Sequence, residues 1–166
     1  MDKELQLIPV EAEESAALQN LWQLYKHDLA EFRNSSPDAD GRFTVKKLEE
    51  CFGNRDSVPI LFLRGNVPVG FAIVLGITSD PRMIGEFFVV RGARSIGIGL
   101  DAATRILRMF PGRWEIAFQE ENPSAARFWR RVASTMAPGA WTEEGRQDPR
   151  RPYIPPDRWI SLDVPA

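Results

Sequence analysis

EFFVVRGARSIGIGLDAA, Glu86 to Ala103, passes from an apolar run through a glycine-bearing turn into an amphipathic stretch. Met83 to Val90 (MIGEFFVV) has the length and the Val, Ile and Phe content of a buried strand. From Ile98 a helix is expected to about Phe110, where Pro111-Gly112 halts it. Glycines in the joint, Arg94-Ser95-Ile96-Gly97-Ile98-Gly99, let a ligand approach the main chain closely because they carry no Cβ. The first turn of a helix adds unpaired N–H groups and the positive end of the helix dipole. Such a turn suits a phosphate or pyrophosphate.

Outward from this segment the chain reads as alternating elements. Leu5 to Val10 is a short strand, and Ala12 to Phe32 carries apolar residues at Leu18, Leu21, Trp22, Tyr25 and Leu29, the three-and-four spacing of an amphipathic helix. Asn34 to Gly41 is a loop by composition, and Thr44 is expected to cap a second, short helix. Val58 to Leu63 and Val69 to Ile77 flank Arg64-Gly65-Asn66 as a hairpin. Downstream come a strand at Trp114 to Phe118, a helix capped by Asn122 with Pro123 first, running to about Ser134, and a closing strand at Trp159 to Val164. Three strands in succession form an antiparallel meander, and the following strand-helix-strand unit pairs parallel. The expected fold class is therefore mixed α/β (α+β).

The chain has 166 residues, 43% hydrophobic and 27% charged, which fits one domain spanning residues 1–166 and excludes disorder. No run of 18 apolar residues is present, so no membrane helix is expected. The charged opening MDKELQLIPV lacks the apolar core of a secretory leader, which makes a cytoplasmic location the expectation. Cys51 is the single cysteine and His27 the single histidine, so a disulfide, a cysteine-based metal site and a histidine triad are not expected, and no residue is assigned to a metal. Net charge is −2, against a nucleic-acid binder. Its distribution is uneven: residues 1–50 hold 11 acids and 6 bases (−5), and residues 91–131 hold 8 arginines and 4 acids (+4). An acidic arm beside a basic middle suits a cationic ligand at one site and an anionic one at another.

Gly97-Ile98-Gly99-Leu100-Asp101-Ala102 also fits the dinucleotide fingerprint G-x-G-x-x-A, with Glu120 in place of the ribose acid, but that turn belongs after the first strand of a parallel run, not after a meander. A glycine turn serving packing alone is a further alternative. The segment better resembles the coenzyme-binding motif of the GNAT superfamily of acyl-CoA N-acyltransferases, Q/R-x-x-G-x-G/A, through Arg94, Gly97 and Gly99. That family's second motif, N-x-x-A-x-x-F/L-Y, is matched by Asn122, Ala125 and Phe128, with Trp129 where the family has Tyr. Both motifs stand in order on the expected elements, and the resemblance covers most of residues 5–164.

The resemblance implies a GNAT-like domain with a central splayed strand and helices on both faces. It implies transfer of an acetyl group from acetyl-CoA to a primary amine by direct attack in a ternary complex, with no metal. Backbone N–H groups of Ser95, Ile96, Gly97, Ile98, Gly99 and Leu100 would hold the coenzyme A pyrophosphate beside Arg94. Phe87, Phe88 and Val89 would pair with the pantetheine arm, Val89 N–H would polarise the thioester carbonyl, and Asn122 would bond the pantetheine side. An amine attacks only when neutral, so a base is needed, and Glu86 in the central strand is the first candidate, ahead of Glu115 and Glu120. An indole cannot deliver a proton at neutral pH, so Trp129 would pack beside the thiol. Tyr25, Asp28 and Glu31, on the first helix, are expected with Glu86 at an acceptor site for a small cationic amine: a polyamine, an amino sugar or an aminoglycoside-like antibiotic. A protein N-terminus or lysine is the alternative acceptor, and a non-catalytic coenzyme-A-binding module the alternative class. Members of the family often form homodimers.

Overall fold

A computed structural model describes residues 4–166. One seven-stranded sheet organises them, in the order β1-β2-β3-β4-β5-β7-β6: β1 Leu5–Pro9, β2 Ser57–Arg64, β3 Val67–Leu75, β4 Arg82–Val89, β5 Gly112–Phe118, β6 Thr142–Arg146 and β7 Asp157–Val164. Every neighbouring pair is antiparallel except β4 and β5. The meander β2-β3-β4 and the single parallel crossover are as the sequence predicts.

Among the described residues four α-helices cover the sheet: α1 Ala16–Arg33, α2 Lys46–Phe52, α3 Ile98–Met109 and α4 Pro123–Met136. α1 and α2 lie on one face, where Leu18, Trp22, Tyr25 and Leu48 pack with Phe71, Ile73 and Phe88. α3 and α4 lie on the other, where Ile106, Leu107, Trp129 and Val132 pack with Phe62, Val74, Trp114 and Ile160. The alternation of side chains along a strand is what lets β4 serve both cores: Phe88 enters the first and Phe87 packs against the second.

Boundaries differ from expectation at several places. The first helix opens as a single 3-10 turn, Ala12–Glu14, and becomes α-helical at Ala16. Val45, not Thr44, occupies the cap of α2, although Thr44 Oγ1 accepts from Lys46 N at 3.3 Å. The stretch between α4 and β7 holds β6, which the sequence does not announce. TEEGR has no β-branched run, and the strand is made by pairing with β7 and by ion pairs on both its faces. Glu143 binds Arg130 and Arg158, each at 2.8 Å, and Arg146 binds Glu115 at 2.9 Å.

Candidate active site

The site begins with one extra residue. Along the β3–β4 ladder Ile73 faces Glu86 and Val74 faces Ile84, which leaves Gly85 without a partner in a β-bulge. An added Cβ at Gly85 would lie 2.8 Å from Leu75 Cδ1, so the Leu75 side chain would have to shift to admit one. The bulge also turns the strand over: Ile84 joins the α3–α4 core, and Glu86 opens toward α1 and α2.

On the other side of β4 the parallel ladder with β5 runs only from Arg82↔Trp114 to Ile84↔Ile116, and stops where the bulge begins. Beyond it the two strands diverge around a cleft of about 890 Å³, lined by Gly85 to Val89 on one wall and by Ala117, Phe118 and Asn122 on the other. Val90 N–H donates to Val69 O at 2.9 Å. Main-chain groups alternate along an antiparallel strand, so the N–H groups of Phe87 and Val89 point the opposite way, into the cleft. An open strand edge in the middle of a sheet can bind an extended ligand arm by adding it as a strand.

At the end of this edge the chain enters a 3-10 turn, Arg91–Ile96, and reverses through Gly97 at φ 82°, a left-handed conformation that favours glycine. α3 follows at once, and its first internal bond, Asp101 N to Gly97 O, leaves the N–H groups of Ile98, Gly99 and Leu100 outside the helical ladder. Gly99 is small for a different reason. A Cβ there would sit 3.2 Å from Phe128 Cε2 of α4, so the Phe128 ring beside the cleft would have to give by a few tenths of an ångström. Ser95 and Ile96 are exposed on the turn and Ile98 is buried beneath it.

Arg94 is fastened on three sides. Its Nε donates to Val89 O at 2.8 Å, its Nη2 reaches Asp28 at 2.5 Å, and its guanidinium lies 5.6 Å from the centre of the Phe88 ring. Arg91 Nη2 binds the same carboxylate at 2.8 Å. Asp28 therefore clips α1 to the turn, and its charge is matched by two guanidiniums. Burial pushes its carboxyl up, but the hydrogen bonds from Arg94 and Arg91 outweigh this and hold it below the usual range. The sequence places Asp28 with the acceptor; its partners place it with the glycine turn.

Glu86 lies on the opposite face of β4 from Phe87. Tyr25 Oη donates to Glu86 Oε2, and Lys47 Nζ stands 3.5 Å from Oε1. The Glu86 side chain is 14% exposed and Lys47 is 74% exposed, so the carboxylate sits at the floor of a solvent-reached recess. Burial first, and the Glu86 charge second, push the Tyr25 phenol well above its ordinary value. Glu31, Arg33, Ser35 and Asp157 line the outer part of this half. Arg33 pairs with Asp157 at 3.7 Å.

Asn122 caps α4, accepting from Ala125 N at 3.1 Å, while also facing the cleft. Trp129 is buried, edge-on to Phe87 at 5.1 Å and to Phe128 at 4.8 Å, and reaches the cleft wall. The other candidate carboxylates point elsewhere. Glu115 is bound by Arg146 and Arg113, and Glu120 by Arg130. Cys51 is buried on α2 and is not among the residues that line the cleft. Several cleft residues have no signal in the sequence, Arg91 and Lys47 among them. Only the topology brings α2 to β4 and α4 to α3.

No family model and no curated protein matches the sequence. Solved structures do. An acetyltransferase from Thermus thermophilus superposes with a TM-score of 0.73 at 16% identity, over 99% of this chain and 100% of that one. A spermidine N-acetyltransferase from Vibrio cholerae, in complex with CoA and spermine, gives 0.68 at 11% identity, over 96% and 95%. An aminoglycoside acetyltransferase in complex with coenzyme A and kanamycin gives 0.66 at 12% identity, over 96% and 95%.

Proposed function

Starting from the GNAT fold that this chain shares with those acetyltransferases, we propose that it transfers an acetyl group from acetyl-CoA to a small primary amine. The observation that carries the reading is the β4 edge left open beyond Ile84, which ends at the Gly97 turn and the start of α3. Both features suit the carrier. The edge takes a pantetheine arm through Phe87 and Val89, and the turn takes a pyrophosphate through the free N–H groups from Ile98 to Leu100. Bound acetyl-CoA supplies a thioester whose acyl carbon a neutral amine can attack.

The chain's own groups do the rest. Val89 N–H faces the cleft and donates to the carbonyl oxygen as negative charge grows there, a one-donor oxyanion site. An alkylammonium has a pKa near ~10, so at neutral pH it must lose a proton, and Glu86 takes that proton directly or through one water. No phenol stands ready on the thiol side. Tyr25 is committed to Glu86 on the other face, and Tyr153 is 80% exposed and outside the cleft lining. A thiol of pKa ~8.5 leaves as thiolate and is protonated from water. Trp129 and Phe87 shape the apolar wall beside it. Cys51 is remote, so the amine attacks directly in a ternary complex.

The charges narrow the acceptor. Asp28 is matched by Arg91 and Arg94, Asp157 by Arg33 and Glu86 by Lys47. Among the described carboxylates that line the cleft, this leaves Glu31 as the one outside these pairs. Such a wall supports an acceptor with one ammonium, an amino sugar for instance, over a polyamine or an aminoglycoside. A second reading, a module that binds coenzyme A without turnover, draws on Trp129 in the motif's tyrosine position. One experiment tests both: melting curves with and without acetyl-CoA, then thiol release across monoamines, amino sugars, polyamines and peptides. Stabilisation with turnover on a monoamine supports the proposal. Stabilisation with no turnover favours the second reading, and no stabilisation removes both.

A further inference from the structure

The contact between α1 and β4 carries a second inference, which rests on the acetyltransferase reading. Tyr25 is packed in a cluster of rings, 5.5 Å from both Trp22 and Phe71 and 5.8 Å from Phe88. These contacts fix the ring, and only its hydroxyl is polar. That hydroxyl donates to Glu86 Oε2. The second oxygen, Oε1, is the one that the exposed Lys47 approaches.

We propose that Tyr25 is a positioning residue for Glu86: its phenol holds Oε2 and presents Oε1 to the cleft as the atom that receives the amine's proton. A carboxylate on β4 has a free torsion at its end, and a donor fixed by three aromatic neighbours removes that freedom. The charged and titratable groups facing the pair come from several elements. Arg33 lies further along α1 and acts on Tyr25, Lys47 comes from α2, and Asp157 comes from β7 with Arg33 as partner. On the neighbouring strand, Glu86 is paired with the apolar Ile73.

The test is Tyr25→Phe, which keeps the ring and removes the donor. The expected loss in kcat/KM is roughly ten- to a hundredfold, in kcat more than in the acceptor's KM, the range of a hydrogen bond to a charged group. Melting temperature and acetyl-CoA affinity stay near the parent's. With Glu86→Gln as background, Tyr25→Phe adds little, since both act at one step. A structural role alone would lower the melting temperature and leave kcat near the parent's below the melting range, which would overturn the assignment.

A second measurement needs no turnover. The Glu86 side chain, labelled with carbon-13, is followed by NMR relaxation in the parent and in Tyr25→Phe. A lower order parameter in the variant supports the assignment, and an unchanged one overturns it. If the parent acetylates no amine, the acetyltransferase reading falls, while this relaxation measurement still decides whether Tyr25 holds Glu86 in place.

Discussion

Gly97→Ala isolates backbone strain from packing. Gly97 holds φ 82°, yet a Cβ built on it meets nothing within 4 Å. The substitution therefore adds no clash, and its whole effect is the left-handed penalty, about 1–2 kcal/mol for a residue with a Cβ. That free energy must be taken up in one of two places. If the turn keeps its shape, the folded state is destabilised, and the melting temperature falls by about 2–4 °C per kcal/mol at this chain length. If the free turn relaxes, stability is preserved, but acetyl-CoA must restore the bend, and its Kd rises by roughly 5- to 30-fold. Calorimetric melting and isothermal titration with acetyl-CoA, on the same two proteins, measure both halves. The two losses should sum to about 1–2 kcal/mol. A variant unchanged in both would show that residue 97 does not hold a left-handed turn in solution. A Kd loss well beyond a hundredfold would show that strain is not what the methyl introduces.

Three further outcomes follow from named contacts. Asp28→Ala releases Arg91 and Arg94 from α1, so acetyl-CoA affinity should fall while the acceptor's KM holds; the reverse split in steady-state kinetics would return Asp28 to the acceptor site. Trp129→Phe keeps an aromatic wall and should lower kcat less than tenfold, whereas a thousandfold loss would mean that the indole takes part in the chemistry. Glu143 is held at about 2, chiefly by Arg130, against an unfolded carboxyl near ~4.3. Its folded value is the lower one, so its contribution to stability is complete above the unfolded value and is lost as pH falls from there toward 2. Glu143→Gln should therefore flatten the acid-melting curve in that window, and an identical curve would remove the pair from the account.

Much of the fold was legible because it is local. Glu86 to Ala103 carries strand length, turn glycines and helical spacing in one stretch, and the Asn122-Pro123 start of α4 is a cap written in two residues. The hairpin and the parallel crossover follow from the order of elements. What was not legible depends on pairs distant in sequence. The bulge at Gly85 exists only as a mismatch between β3 and β4, though the glycine itself could have hinted at it. β6 owes its form to β7 and to arginines elsewhere. The same limit explains Asp28: its helical position is local, whereas its arginine partners lie 63 and 66 residues away. Lys47 beside Glu86 likewise joins α2 to β4 across 39 residues.

The claim on which the rest stands is that the gap between β4 and β5 seats the pantetheine arm and the diphosphate of acetyl-CoA. Amide hydrogen exchange, resolved by residue, with and without acetyl-CoA, tests it most directly. Slowed exchange at Phe87 and Val89, together with Ile98 to Leu100, is the predicted result. Saturating acetyl-CoA that leaves those amides exchanging as before would contradict it.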